Sequence, residues 1–178
     1  RARLIPFYKP GDEMALTSIF LSSLKLVDPY RKNIFKTINL SSYGKVHIFT
    51  EVEFVLFDKK RIDGLIIIER GKKIVDACVI EVKNKSNELK EEQLKAYVNI
   101  CKSYGIPKIV TISNQFVNFP TQSPINLKTP KSVKAYHLSW TYLLTVAHIF
   151  LIDNETNIQD DDQFNILKEV LRYFETQK

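Results

Sequence analysis

The chain has 178 residues, of which 44% are hydrophobic and 26% charged, enough to bury an apolar core in one domain. Its 5 Gly and 7 Pro exclude a fibrous or low-complexity chain, and its 2 Cys exclude a disulfide framework or a thiolate zinc site. The net charge is +6, and no apolar run approaches the roughly 18 residues of a membrane span. We expect an intracellular, cytoplasmic protein.

Hydrophobic periodicity predicts a helix and then strands in the first half of the chain. Apolar positions three and four apart predict a helix over residues 14–27, with Asp12 as its N-cap and Asp28-Pro29 as its stop. Three strands joined by short turns are predicted over residues 45–57, 61–69 and 74–83.

The second half begins with a predicted crossover. A helix capped by Ser86 or Asn87 runs to about Tyr104, and a strand over 108–113 follows it. A strand, a helix and a strand at this spacing form a right-handed parallel crossover. The remaining predicted elements are a short strand, 133–138, a helix, 140–151, capped by Ser139, and a last helix behind a capping box of Asp160 and Gln163.

This order predicts an α/β fold with a mixed central β-sheet and flanking helices. We expect a single domain over 1–178, with a core over 12–113 and a C-terminal strand and helical extension over 133–178. The Pro-containing loop between them, 114–132, is long for a compact domain and is therefore either functional or mobile.

Charge is distributed unevenly along the chain. Residues 153–178 hold seven acidic and three basic residues, which leaves 23 basic and 13 acidic residues in the first 152. A basic body with an acidic end predicts a polyanionic partner, although lysine-rich surfaces also serve solubility. The acidic end could pack on the core, dimerise or shield a cleft.

Three charged side chains stand where burial should disfavour them. Asp63 lies inside an Ile-rich strand, while Glu81 and Lys83 close the next strand and point to one face. Two carboxylates at the ends of adjacent strands offer the hard oxygen ligands that suit Mg²⁺ or Mn²⁺, and a neighbouring lysine can neutralise charge on a phosphoryl group. The alternative is a plain ion pair between Lys83 and one of the acids.

The helix after these residues carries a polar residue on its apolar face. Gln93 lies at helical spacing among Leu89, Ala96 and Ile100, with Tyr97 one turn further on. In a crossover that starts at Lys83, this helix covers the same sheet, so Gln93 and Tyr97 could face the carboxylates.

Together these residues resemble the PD-(D/E)XK nuclease superfamily. Asp63 followed by Glu81-Val82-Lys83 resembles its central motif, and Gln93-Leu94-Lys95-Ala96-Tyr97 is similar to the Gln-hydrophobic-x-x-Tyr motif of the RecB-like branch. The spacings, 18 residues from Asp63 to Glu81 and 12 from Glu81 to Gln93, are also similar to that branch. The resemblance covers residues 12–113 and lacks the proline before the first carboxylate, where Arg61-Ile62 stands.

The resemblance implies a restriction-endonuclease-like core and a nuclease that hydrolyses nucleic acid, DNA more than RNA, through water activated by Mg²⁺ or Mn²⁺. Asp63 and Glu81 would bind the metal, Lys83 would be the catalytic lysine, and Gln93 and Tyr97 would orient the lysine, the water or the substrate. An additional acid could stand at Glu13, or at Glu51 or Glu53 on the first strand; Glu53 shares the face of Asp63 if the hairpin turn centres on Lys59. The alternative is that Glu51 and Glu53 contact helices or solvent.

Basic residues in the turns and beside the cleft could contact phosphates, or could serve only solubility. The predicted nucleic-acid contacts are Lys59, Lys60, Arg61, Lys72, Lys73, Lys85 and Lys90. The alternative function is a catalytically inactive nuclease-fold module that binds nucleic acid or a protein partner; a homodimer or a place within a larger protein stays open, and no membrane partner is expected.

Overall fold

The computed structural model describes residues 12–84, 87–152 and 158–176. Within these residues, the helices are α1 (Glu13–Leu26), α2 (Asp28–Thr37), α3 (Glu91–Tyr104), α4 (Trp140–Ile152) and α5 (Asp161–Glu175). The strands are β1 (Lys45–Phe54), β2 (Lys60–Arg70), β3 (Lys73–Val82), β4 (Lys108–Ser113) and β5 (Lys134–Ser139). No helix in this part of the chain is long and apolar enough to cross a membrane.

The strands form one mixed sheet in the order β1-β2-β3-β4-β5. The first three are antiparallel neighbours, and β4 and β5 continue the sheet in parallel. Helix α3 makes the crossover between β3 and β4, because parallel neighbours cannot be joined by a tight turn. The predicted α/β fold with a mixed central sheet and flanking helices is confirmed.

Each face of the sheet carries its own apolar cluster. On β3, Cys78, Ile80 and Val82 pack toward α1, α2, α4 and α5, whereas Ala77 and Val79 pack toward α3. This alternation follows from the two-residue period of a strand. Since Glu81 continues the second series, its side chain belongs to the α3 face, at the end of the strand.

Several predicted helix ends are correct. The Asp12 carboxylate accepts a hydrogen bond from Ala15 N, and the Asp160 carboxylate accepts one from Gln163 N. The side chain of Gln163 does not close the capping box; its Oε1 accepts a hydrogen bond of 2.8 Å from Asp28 N at the start of α2. Of the three roles open for the acidic C-terminal helix, the structure therefore shows packing on the core.

Helix α2 is the main element that the sequence analysis missed. Asp28-Pro29 begins this helix instead of merely ending α1, because proline fits the first helical turn, where its missing N–H has no partner to lose. Helix α3 also begins later than predicted, at Glu91. Asn87 lies ahead of the helix and its side chain bonds Glu13, while Ser86 lies outside the described residues.

The first hairpin differs from its predicted register. Val52 pairs with Ile62 and Phe54 with Lys60, so the hairpin centres on Phe57, two residues before the predicted centre. A short 3-10 turn over Val55–Phe57 widens the loop. Because the shift is an even number of residues, the side chains keep their predicted faces.

Gly64 allows α1 to lie close to the sheet beside Asp63. A Cβ at this position would lie 2.8 Å from Leu21 Cδ1 and 3.3 Å from Ile80 Cβ. Leu21 is buried, so its side chain has little room to move away.

We therefore expect Gly64→Ala to lower the free energy of unfolding by about 1–3 kcal/mol through overpacking, measured by urea denaturation. Gly71→Ala is the matched control, since a Cβ there meets no atom within 4 Å and adds only the strain of its positive φ. Equal stability of Gly64→Ala and the parent would contradict the close packing of α1 on β2.

Candidate active site

The two predicted metal-binding carboxylates lie across from each other on neighbouring strands. The register of β2 and β3 pairs Gly64 with Ile80, so the adjacent positions place Asp63 opposite Glu81. Asp63 Oδ2 accepts a hydrogen bond of 2.7 Å from Val82 N, which fixes this carboxylate at the end of β3. Like charges directly opposite each other destabilise a sheet, so the pair requires a compensating cation.

Glu81 is the side chain of this site whose burial costs the most free energy. It is fully buried, and neither carboxylate oxygen accepts a hydrogen bond of regular geometry from a described residue. Burial raises the pKa of Glu81 from 4.5 to about 7, and the charge of Asp63 adds to this rise while Lys83 opposes it. A buried carboxylate of this kind is stabilised in its ionised form by direct contact with a cation.

Lys83 supplies a positive charge beside Glu81. Its Nζ lies 2.7 Å from Glu81 Oε1, in an ion pair whose angles do not make a regular hydrogen bond, and 3.9 Å from Glu13 Oε2. Burial lowers the pKa of Lys83, but the neighbouring carboxylates outweigh burial and the pKa is raised overall. The ammonium group therefore stays charged at neutral pH and does not take a proton from water.

Glu13 reaches this end of the sheet from the first turn of α1. Its Oε1 accepts hydrogen bonds from Asn84 N, at 3.0 Å, and from Asn87 Nδ2, at 2.6 Å. These bonds tie the start of α1 to the segment after β3. The structure thus brings this acid next to Lys83, with one of its oxygens already engaged in holding that segment.

Helix α3 places the hydroxyl group of Tyr97 at the site, and Gln93 reaches the site through its hydrogen bond with that hydroxyl. Gln93 Nε2 donates a hydrogen bond of 2.8 Å to Tyr97 OH, which donates one of 2.9 Å to Arg61 O. Burial raises the pKa of the Tyr97 hydroxyl, and the charges of Glu81 and Asp63 raise it further. The hydroxyl therefore faces the two carboxylates, and the hydrogen bond from Gln93 helps to fix its position.

Glu53 lies outside this cluster. It is exposed and stands across from Arg61, two positions nearer the hairpin tip than Asp63. The position across from Asp63 belongs to Glu51, whose Oε2 lies 2.8 Å from Arg61 Nε.

The predicted phosphate-binding residues divide between the two ends of the sheet. Lys59, Lys60 and Arg61 lie at the β1–β2 hairpin, beside Asp63, and Lys90 is exposed just before α3. Lys72 and Lys73 lie at the β2–β3 hairpin, roughly 30 Å away along β2. Lys85 lies outside the described residues.

Two polar residues extend the site across the sheet and were given no role by the sequence analysis. The parallel register pairs Glu81 with Thr111, and Thr111 with His137. Both residues are buried, and Thr111 Oγ1 lies 2.8 Å from His137 Nδ1. The sequence signal is a polar residue one or two positions before the end of each of three neighbouring strands.

The donor set fits a hard divalent cation. Asp63 and Glu81 offer carboxylate oxygens, and those of Glu81 are buried with no hydrogen bond of regular geometry from a described residue. Mg²⁺ is often held by one or two carboxylates and completes its shell with water and phosphate oxygens. No group of three or more His, Cys, Asp or Glu residues in the described ranges is arranged to hold a metal ion by itself.

Comparison with known proteins gives no family. No family model and no curated protein matches the chain. Among solved structures it is similar to a chain in a half-complex of Thermococcus gammatolerans McrB AAA+ hexamers with bound McrC (12% identity, 82% of this chain, 31% of that chain, TM-score 0.36). It is also similar to the DNA modification-dependent restriction endonuclease AspBHI (10% identity, 97% of this chain, 44% of that chain, TM-score 0.38). The chain spans less than half the length of either structure, and at these scores neither assigns it to a family.

The raised pKa of Glu81 predicts a pH dependence of stability. Because its pKa in the folded state, about 7, exceeds the ordinary value of 4.5, the folded chain keeps a proton that the unfolded chain loses. The contribution of Glu81 to the free energy of unfolding should therefore fall as the pH rises from about 4.5 to 7, and level off above that range.

Urea denaturation in EDTA at a series of pH values measures this effect. Glu81→Gln should remove the decline, whereas Glu91→Gln, on the exposed surface of α3, should keep the parent's profile. A Glu81→Gln profile that matches the parent between pH 5 and 7 would show that Glu81 ionises normally.

Proposed function

We propose that this protein is a metal-dependent nuclease of the PD-(D/E)XK type that hydrolyses phosphodiester bonds of nucleic acid, DNA rather than RNA. One observation carries the proposal: the buried carboxylate of Glu81 lies opposite Asp63, with the ammonium group of Lys83 at 2.7 Å. The residues of the sequence motif, which are separated in the chain, thus meet at one end of the sheet.

Asp63 and Glu81 would hold Mg²⁺ or Mn²⁺ in this proposal. When bound, such an ion supplies Lewis acidity at a phosphate oxygen and lowers the pKa of a water molecule. The ion would also add positive charge to that of Lys83 beside the buried Glu81 carboxylate.

Lys83 would stabilise negative charge that develops on the phosphate during hydrolysis. Its raised pKa keeps the ammonium group charged, and its two neighbouring carboxylates hold it in place. A fixed cation of this kind acts without reorganisation when the reaction occurs.

The remaining polar groups would position the metal-binding residues and the substrate. Tyr97 OH joins α3 to Arg61 O, two residues before Asp63, and so holds the start of β2 against the helix. Lys59, Lys60 and Lys90 lie at the same end of the sheet and would contact the nucleic-acid backbone. A strand bound at the carboxylates would have to extend roughly 25 Å further to reach Lys72 and Lys73.

Substitution of any of the three central residues should abolish cleavage. We expect Asp63→Asn, Glu81→Gln and Lys83→Ala each to reduce the rate of DNA cleavage with Mg²⁺ or Mn²⁺ by about 100- to 1,000-fold, the range typical for loss of one preorganised transition-state contact. Glu91→Gln is the control, and circular dichroism checks that each variant is folded. Parent-like cleavage by all three variants would refute the assignment.

Calorimetric titration with Mn²⁺ separates the nuclease from an inactive nuclease-fold module. The parent should bind Mn²⁺, and Asp63→Asn should lose this binding because only one carboxylate then remains in the pair. Binding of Mn²⁺ that is unaffected by Asp63→Asn would place the metal elsewhere. A folded parent that binds DNA but no Mn²⁺ would favour the inactive module.

A further inference from the structure

A long part of the chain offers no negative charge to repel a phosphate backbone. Between Glu92 and Asp153 there is no Asp or Glu, although this stretch contains six lysines. It comprises α3 after its first two residues, Glu91 and Glu92, and then β4, the loop 114–132, β5 and α4. Lys128, Lys131 and Lys134, in the loop and at the start of β5, are all exposed.

The loop leaves the sheet at the same end as the candidate active site. It begins after Ser113, the last residue of β4. The end of β4 is held next to the site because Lys83 N donates a hydrogen bond of 2.8 Å to Ile112 O. His137 then anchors it: Nε2 lies 2.9 Å from Gln115 O, and the backbone N–H donates to Pro120 O at 2.7 Å. Since His137 stands in the row of Glu81, two strands away, this anchor lies roughly 10 Å from the carboxylates.

Two aromatic rings are exposed between these anchor points. Phe116 is 71% and Phe119 is 63% exposed. The backbone around them is held by hydrogen bonds from Asn118 N and Phe119 N to Gln122 Oε1, at 3.1 and 3.3 Å. The rings are therefore held outward by an ordered turn, which leaves their faces available to a partner.

We propose that Phe116 and Phe119 form a stacking platform for unpaired bases of a single-stranded nucleic acid. Exposed aromatic rings on a stretch of chain that carries lysines and no acidic residue have the composition of such sites, because every base presents a face for stacking and the lysines attract the backbone. The bases of an intact duplex already stack on each other and cannot lie flat on these rings. Because the anchor of the loop lies roughly 10 Å from the carboxylates, a strand whose phosphate lies at Asp63 and Glu81 would be within a few nucleotides of these rings.

This inference rests on the proposed function, because the nuclease site sets the position of the phosphate that is cut. Measurements of nucleic-acid binding without cleavage test the inference separately. Fluorescence anisotropy in EDTA, which prevents cleavage, compares a labelled single-stranded DNA with a duplex of the same sequence. The parent should bind the single strand at least about ten-fold more tightly, and the double variant Phe116→Ala/Phe119→Ala should lose at least about ten-fold on the single strand and little on the duplex.

Tyr43→Ala is the matched control. Tyr43 is 77% exposed and lies before β1, at the opposite end of the sheet from Asp63. This variant should bind like the parent, and circular dichroism should show the same fold for all proteins. Binding by the double variant equal to that of the parent, an equal loss on duplex, an equal loss by Tyr43→Ala, or no binding by the parent would each overturn the proposal.

Cleavage assays with Mn²⁺ keep the two proposals apart. A parent that binds single strands through the two rings but cuts no nucleic acid would support the platform and refute the nuclease. A parent that cuts DNA, with single-strand binding unaffected by loss of the rings, would refute the platform alone.

Discussion

The burial of the Glu81 carboxylate opposite Asp63 is the constraint around which this end of the molecule is built. Two acids face each other across an antiparallel pair, and one of them is removed from water with no hydrogen bond of regular geometry from a described residue. Such an arrangement is unfavourable unless positive charge is supplied. Lys83 supplies part of it, while burial and the charge of Asp63 still raise the pKa of Glu81.

The helices on the two faces of the sheet both contribute polar groups to this end of the molecule. From one face, α1 places Glu13 against the segment after β3, in a position that depends on the missing side chain of Gly64. From the other face, α3 places Tyr97 over the carboxylates and bonds it to the start of β2. Apolar packing on each face thus holds polar groups that would otherwise separate, which is how a rigid scaffold offsets the cost of a charged site.

Local patterns predicted the strands of the site, while contacts between distant segments decided the rest. The runs around Asp63 and Glu81 have a strong apolar bias, so their strands and their shared end of the sheet were predictable. Helix α2 was missed because Asp-Pro is compatible with both a helix stop and a helix start. His137 was missed because its alignment with Glu81 depends on how β5 pairs with β4, which no local pattern encodes.

The distribution of charge explains why a divalent ion would govern the approach of the substrate as well as its chemistry. Among the described residues, the ammonium group that pairs with Glu13 and Glu81, and whose charge also meets Asp63, is that of Lys83. When all four groups are ionised, this cluster is negative and repels a phosphate, whereas the acid-free stretch from Gln93 to Ile152 attracts one. In the proposed nuclease, a dication between the carboxylates would cancel the excess negative charge of the cluster. A strand attracted by the lysines would then reach the carboxylates without repulsion, so that metal binding and substrate binding would favour each other through the same charges.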